Sequence, residues 1–396
     1  MTAYAVFNAG SSSLKFQLFE PGANGALSPF VRGKLEGLGS EPQFIARDGS
    51  GKMLGERTWS ASDGLDHEQG TMYVLEWARE HLGGRRLAAI GHRVVHGGRD
   101  FSGPALIDDA VLAKLEAYVP LAPLHQPHNL KPIRIVRRHR PDLKQVASFD
   151  TGFHQTQPEI AQLFALPYDY AERGVRRYGF HGLSYAYVAS VLGRCAPGLE
   201  TGKAIVAHLG SGASLCAMVN GRSVSSTMGF SALDGLPMGT RCGSLDPAVV
   251  FYLMRVDKLD AAAVEKLLYS KSGLLGVSGL SNDMRALREA AAGGHERARL
   301  AIDLFVYRIC REMGALTAVM GGLDGIVFTA GIGENDPATR AEVLRGMEWA
   351  GLKIDEGANR AGGPLLTLAG GPQAWVIPTD EELMIARETA AMLAAR

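Results

Sequence analysis

The chain has 396 residues, 46% of them hydrophobic, and its 41 basic residues balance 41 acidic ones. That length exceeds what a single core usually serves and predicts a globular protein of two domains. Zero net charge removes the electrostatic case for nucleic acid or a membrane surface as partner, and no apolar run approaches the roughly 20 residues of a membrane-spanning helix.

In chain order, the first element is YAVFNAGSSSLKFQLF (4–19), two apolar strands around a Gly/Ser turn. The polar, Gly-rich stretch 20–70 reads as further antiparallel strands and loops. LAAIGHRVVHGG (87–98) is a strand ending in a Gly-closed loop. KPIRIVRRHRPDLK (131–144) suits an amphipathic helix, with Ile133, Val136 and Leu143 inward and a solvated basic face. QVASFDTGFH (145–154) brings a strand to its carboxyl end at Asp150, where ligands gather in open α/β sheets.

The second half then repeats the opening. In AIVAHLGSGASLCAMV (204–219), Gly210 lines up with Gly10 and Ser211 with Ser11. Asp246 and Pro247 are a good N-cap and first residue for a helix. The stretch 298–320 has helical periodicity and stops before Gly321. DGIVFTAGIGEN (324–335) is a buried strand running into a Gly-rich turn, and Thr379 to Glu382 carries a capping-box pattern for a last helix. These signals place the domain change near 150, with the final helix returning: 1–150 plus 382–396, and 151–381.

The N-terminus enters its strand without a basic segment or apolar signal core. Cys195, Cys216, Cys242 and Cys310 form no C-x-x-C pair, which predicts a reducing cytoplasm without zinc site or disulfides. Cys242 beside Arg241 reads as an inert thiol.

No P-loop and no G-x-G-x-x-G occurs, so phosphate recognition falls to the two hairpins and to Gly331–Asn335. Glycine lets backbone N–H groups approach an anion closely. The first hairpin adds Asn8, Ser11, Ser13 and Lys15, the lysine being equally readable as an ordinary exposed one. Arg93 and Arg241 sit in Gly-flanked segments with few acidic neighbours, and a guanidinium clamps carboxylate or phosphate bidentately. Asp150 after an apolar strand needs a cation or arginine to offset its desolvation. Glu382 is explained by the capping box and the helix dipole, which leaves Glu381 as the metal candidate. His181 lies in a loop that exposes it, and His208 stands where Asn8 stands in the first hairpin. His92, His96, His125, His128 and His154 receive no role on chemical grounds.

N-A-G-S-S-S-L-K-F, G-H-R-V-V-H-G-G, F-D-T-G-F-H, Y-G-F-H-G, H-L-G-S-G-A-S, M-G-T-R-C-G, F-T-A-G-I-G-E-N and T-D-E-E-L occur in this order between residues 5 and 388. Together they resemble the acetate kinase family, of the acetate and sugar kinase, Hsp70 and actin superfamily. The resemblance implies an α/β chain of two duplicated actin-like (ribonuclease H-like) domains around an interdomain cleft. It implies Mg2+-dependent phosphoryl exchange (Mn2+ as substitute) between ATP and acetate, giving acetyl phosphate and ADP, and a cytoplasmic homodimer. Asp150, His181 and Arg241 would be catalytic. Arg93, Lys15, Val95, Leu124, Phe180 and Ala232 would meet the acyl substrate. His208, Leu209, Gly210, Ser211, Gly212, Asp283, Met284, Arg285, Gly331, Ile332, Gly333, Glu334 and Asn335 would hold the nucleotide, with Asn8 and Glu381 on the metal.

Ala232, Gln126, Ser211 and Ser244 depart from the family pattern, in which 232 is commonly proline, 126 and 211 asparagine, and 244 acidic or an amide. The smaller Ala232 predicts a wider acyl pocket. A propionate or butyrate kinase is the nearest alternative. A sugar kinase would need an aspartate base and a polar sugar pocket, and a non-catalytic nucleotide switch has no need of Arg93, Arg241 and His181 together.

Overall fold

The computed structural model describes residues 2–60, 62 and 64–395. The chain separates into two compact units, Met1–Phe153 with Asp380–Arg396, and His154–Thr379. The first unit holds β1 (Thr2–Ala9), β2 (Ser13–Pro21), β3 (Leu27–Glu36), β4 (Gln43–Asp48), β5 (Met53–Thr58), β6 (Arg86–Val94), β7 (Ala105–Leu106) and β8 (Lys144–Phe149), in the sheet order β5-β4-β3-β2-β1-β6-β8-β7. The second holds β9 (Lys203–Leu209), β10 (Ala213–Val219), β11 (Arg222–Ser226), β12 (Gly325–Thr329) and β13 (Gln373–Val376), in the order β11-β10-β9-β12-β13.

The duplication shows in the pairing. In the first unit β1, β2 and β3 pair antiparallel while β6 and β8 add in parallel. In the second, β9, β10 and β11 pair antiparallel while β12 and β13 add in parallel. Each unit thus carries the antiparallel hairpin and parallel crossovers of an actin-like (ribonuclease H-like) half.

Strand alternation decides which side chains meet solvent. Ala3, Ala5, Phe7 and Ala9 of β1 join Phe16, Leu35, Phe44, Val74 and Trp77 in a core beneath the helix His67–Glu80. Asn8, and its register partner Lys15, therefore fall on the opposite face. The helix Glu381–Ala394 packs close against β6 because residue 91 is glycine. A Cβ there would lie 2.3 Å from Thr389 Oγ1 and 2.6 Å from Ile385 Cγ2.

Two expectations need correction. The basic helix runs Gln126–His139, and Leu143 lies beyond it; Pro127 favours the early start and Pro141 opposes extension. At the last helix the cap is Asp380, whose carboxylate accepts from the Leu383 N–H at 2.8 Å, so Thr379 and Glu382 form no capping box. The Thr379 N–H donates to Glu334 Oε1 at 3.2 Å.

His92, His96 and His154 are buried to 1%, 0% and 2% exposure. Burial lowers their pKa values from 6.5 to about 3, about 4 and about 4 respectively. The unfolded chain binds protons at these sites below pH 6.5 that the folded chain refuses, so their stabilisation is complete above that value and declines as pH falls. The expected loss approaches about 1.4 kcal/mol per pH unit for each histidine. A urea midpoint clearly lower at pH 5 than at pH 7 is the expected result, and equal midpoints would contradict it.

Candidate active site

In the first unit the strand ends β1, β6 and β8 bring Asn8, Arg93 and Asp150 together. Arg93 Nη2 donates to Asp150 Oδ2 at 2.6 Å and Nε to Oδ1 at 3.2 Å, a bidentate pair. Asp150 is 1% exposed, so its desolvation is answered by an arginine, one of the two partners expected. Arg93 Nη1 also reaches Asn8 Oδ1 at 3.5 Å, and its Nε lies 3.9 Å from Glu381 Oε2. Burial works against the Arg93 charge, but Asp150 and Glu381 together hold it protonated. Glu381 is pushed above the usual carboxyl range, first by burial and then by Asp150 and Glu382, against the pull of Arg93 and Lys15.

A cavity of about 370 Å³ adjoins these groups, lined by Asn8, Lys15, Arg93, Val95 and Leu124 among others. Val95 is 6% exposed and Leu124 46%, so an apolar wall stands beside the cations. Among the described residues no three His, Cys, Asp or Glu side chains cluster as a metal cage. Mg2+ does not need one, since it commonly takes one or two carboxylates and completes its shell with water and substrate phosphate. The Glu381 carboxylate and the Asn8 amide oxygen, both beside Arg93, are hard oxygen donors, and that donor set fits a hard divalent cation.

In the second unit the repeated hairpin closes more tightly. Gly210 N–H donates to Gly212 O at 2.9 Å, whereas Gly10 N–H donates to Ser13 O at 2.8 Å, so the first turn is one residue longer. By register the counterpart of the Asn8–Lys15 pair is His208–Ser214. His181 and Arg241 converge on this hairpin. A Cβ built at Gly212 would lie 3.1 Å from His181 Nε2 and 3.3 Å from Arg241 Nη2. Arg241 Nη1 donates to Ala232 O at 2.7 Å, tying the guanidinium to the segment of the expected acyl wall. Phe180 is 2% exposed.

The Arg241 loop is held by backbone contacts. Leu274 N–H donates to Met238 O and Ser272 N–H to Thr240 O, each at 2.9 Å. Gly273 makes this approach feasible: its φ is +62°, and a Cβ would come within 2.0 Å of Met238 O.

A second cavity, about 720 Å³, is lined by Gly210, Ser211, Asp283, Met284, Arg285, Gly331, Ile332 and Asn335 together with Asn282, Arg288 and Asp336. Others in the expected nucleotide set have work inside the protein. Leu209 is fully buried, and His208 Nδ1 bonds Ser184 Oγ at 2.9 Å. Glu334 accepts from the N–H groups of Ala330 at 2.7 Å and Thr379 at 3.2 Å, so its carboxylate serves the backbone. Asp283 lines the cavity and also caps the helix Met284–Ala292 through the Arg285 and Ala286 N–H groups. The Gly-rich turn at 331–335 is a short helix, Ala330–Asn335.

Three further side chains position the site: Arg340 and Asn129 carry no signal in the sequence, and Gln126 stands out there only as a departure from the family pattern. Arg340, 1% exposed, donates to the carbonyls of Gly333 at 3.0 Å and Glu334 at 2.8 Å and bonds Asn359, bracing that short helix. Asn129 accepts from Val95 N–H at 2.9 Å and donates to Ala9 O at 2.7 Å, linking the first hairpin to the loop after β6. Gln126 accepts from His96 N–H at 3.1 Å and donates to the carbonyls of His96 at 3.0 Å and Leu115 at 3.2 Å. Nothing local assigns these tasks: the partners of Asn129 lie 34 and 120 positions away, and Arg340 needs Asn359, 19 positions on, as well as the turn it braces.

Comparison with known proteins bears on the whole arrangement. The model of the Acetokinase family matches residues 3–387. A protein named acetate kinase from Nitrobacter hamburgensis is 47% identical, over 100% of this chain and 97% of its own length. Among solved structures, a propionate kinase from Francisella tularensis superposes with a TM-score of 0.92 at 35% identity, covering 98% of this chain and 99% of that one. An acetate kinase from Porphyromonas gingivalis gives 0.89 at 38% identity, covering 99% and 100%. With a matching model along nearly all its length and relatives this similar end to end, the chain belongs to the acetokinase family and is a phosphotransferase.

Proposed function

We propose that the protein is an acetate kinase, which reversibly transfers the γ-phosphoryl group of ATP to acetate and gives acetyl phosphate and ADP. The observation that carries this reading is the convergence of His181 Nε2 and Arg241 Nη2 beside Gly212, within a family of carboxylate phosphotransferases. Acetate is ionised at neutral pH and needs no general base. It needs charge compensation, because carboxylate and polyphosphate repel each other. Arg93 and Lys15 supply this on the acyl side, with Asp150 orienting Arg93 rather than accepting a proton. Arg241 and His181 donate to the equatorial phosphoryl oxygens during in-line transfer. Gly210, Ser211 and Gly331 offer backbone and hydroxyl donors to the nucleotide. Asn8 and Glu381 would hold Mg2+, or Mn2+ in its place, which neutralises phosphate charge when bound. Incubation with MgATP, acetate and hydroxylamine should give acetyl hydroxamate that depends on all three. No hydroxamate above a no-enzyme control would sink the proposal.

A second acyl substrate is favoured by Ala232, which lacks the ring carbons of proline at the expected pocket wall, and by the likeness to a propionate kinase. One methylene is worth only about 1–3 kcal/mol of discrimination, so propionate should be a fair substrate. Its kcat/KM should lie within about a hundredfold of that for acetate, and a wider gap would reject the idea.

We also infer a homodimer. The helix Pro247–Arg255 buries none of its residues, and Phe251 is 57%, Tyr252 55% and Met254 40% exposed, a contiguous apolar face that water penalises. Sedimentation should give a dimer that Phe251→Asp converts to monomer. A monomeric wild type would refute this. From the four free cysteines we infer a reducing, cytoplasmic site of action. No helix among the described residues is long and apolar enough to cross a membrane.

A further inference from the structure

A neutral imidazole donates from only one nitrogen, and its neighbours decide which. His181 precedes the helix Gly182–Cys195 with φ 58° and ψ 24°, a left-handed conformation costly for a residue with a Cβ and typical of functional sites. Its ring stacks on His208 with centroids 4.1 Å apart, and His208 is anchored in turn to Ser184 Oγ. His181 Nδ1 lies 2.8 Å from Ser214 Oγ, and the same oxygen lies 2.5 Å from the hydroxyl of Tyr185, one helical turn beyond His181. Ser214 and Tyr185 are both fully buried.

The direction of this chain follows from acidity. A phenol is a far stronger donor than an aliphatic alcohol, so in a short phenol–alcohol contact the phenol gives its hydrogen. Burial raises the Tyr185 pKa well above 10.0, which keeps that hydrogen in place. Ser214 Oγ, accepting from Tyr185, directs its own single hydrogen to His181 Nδ1. Nδ1 is then an acceptor, and the ring proton must sit on Nε2.

We infer that Tyr185 and Ser214 are positioning residues that hold His181 as the Nε2–H tautomer, presenting a hydrogen-bond donor beside Gly212 and Arg241. This rests on the role proposed for His181 and adds how the role is prepared. No proton is transferred: the Nε2–H bond to an equatorial oxygen strengthens as charge builds there. The opposite tautomer would offer a lone pair to a polyanion and repel it. The position of Ser214 fits this division of the repeat. It occupies the register place that Lys15 holds in the first hairpin, so the first copy places a cation where the second places an uncharged relay.

The test is long-range 1H–15N correlation on the full-length protein labelled at histidine, with His181 assigned from the signal lost in His181→Gln. The expected spectrum has His181 protonated at Nε2, and Ser214→Ala shifts it toward Nδ1–H or a mixture. In the same variant kcat should fall by about 10–100-fold, by analogy with the loss when the orienting partner of a metal-bound histidine is removed, with both KM values within about threefold. Tyr185→Phe should fall less, and Tyr185→Phe/Ser214→Ala no further than Ser214→Ala alone. An Nδ1–H tautomer in the wild type, or a Ser214→Ala enzyme with wild-type tautomer and kcat, overturns the relay. Full activity in His181→Gln would instead remove the role proposed for His181, whatever its tautomer, so the two failures are distinguishable.

Discussion

Arg241→Ala should lower kcat by about 10³–10⁵-fold, the value of an arginine that neutralises a transferring phosphoryl group. The effect is this large because the guanidinium does two things with separate nitrogens. Nη2 points beside Gly212 together with His181 Nε2, while Nη1 holds the Ala232 carbonyl at 2.7 Å. Lysine keeps the charge but not the fork, so Arg241→Lys should recover only part of the rate and should raise the KM for acetate as the Ala232 segment loosens. Stopped assays of acetyl hydroxamate can follow rates this low. A loss of less than tenfold in Arg241→Ala would mean that Arg241 does not stabilise the transferred group.

Arg93→Leu should cost folding stability as well as activity. Asp150 is 1% exposed and its carboxylate is bonded by both Arg93 Nη2 and Nε. Deleting one partner of such a pair typically costs about 3–5 kcal/mol, because the remaining charge stays buried without compensation. For a unit of this size that lowers the melting temperature by roughly 6–20 °C. Adding Asp150→Asn should restore most of the stability and none of the activity, a non-additivity expected of contacting residues. If Arg93→Leu melted with the wild type, the pair would not be holding the fold. Asp150→Asn alone, with Arg93 present, tests orientation: retention of most of the rate at saturating Mg2+ would end that role for Asp150.

Much of this was legible in the sequence because it depends on neighbours. Asp246 and Pro247 start a helix, Gly321 ends one in the left-handed conformation, and the paired hairpins appear where the Gly/Ser turns predicted them. Those signals act over a few residues, where steric preference and backbone hydrogen bonding decide the outcome. The last helix shows the limit of such reading. Both Thr379 and Asp380 are acceptable caps, and the Thr379 N–H is taken by Glu334, a partner 45 positions away.

The same distinction separates the candidate residues. Arg93, Asp150, His181 and Arg241 stand out because charged or titratable groups beside glycines and apolar strands have no cheap structural explanation. Asn129, Arg340, Ser214 and Tyr185 do not stand out. An amide, a helix-borne arginine and two hydroxyl groups are ordinary in any sequence, and only the approach of distant backbone or side-chain atoms gives them a task. Glu334 is the reverse case, a carboxylate in a Gly-rich motif that the folded chain turns onto its own N–H groups.

By itself the sequence determined the duplicated α/β plan, the family and the chemical types at the site, since periodicity, turn chemistry and motif order are local properties. The tertiary structure alone decided the register that sets Lys15 opposite Asn8 but Ser214 opposite His208. It also decided the pairing of Arg93 with Asp150 and the convergence of His181 and Arg241 on Gly212. Those are distances between residues far apart in the chain, and a one-residue difference in turn length is enough to change which side chains meet.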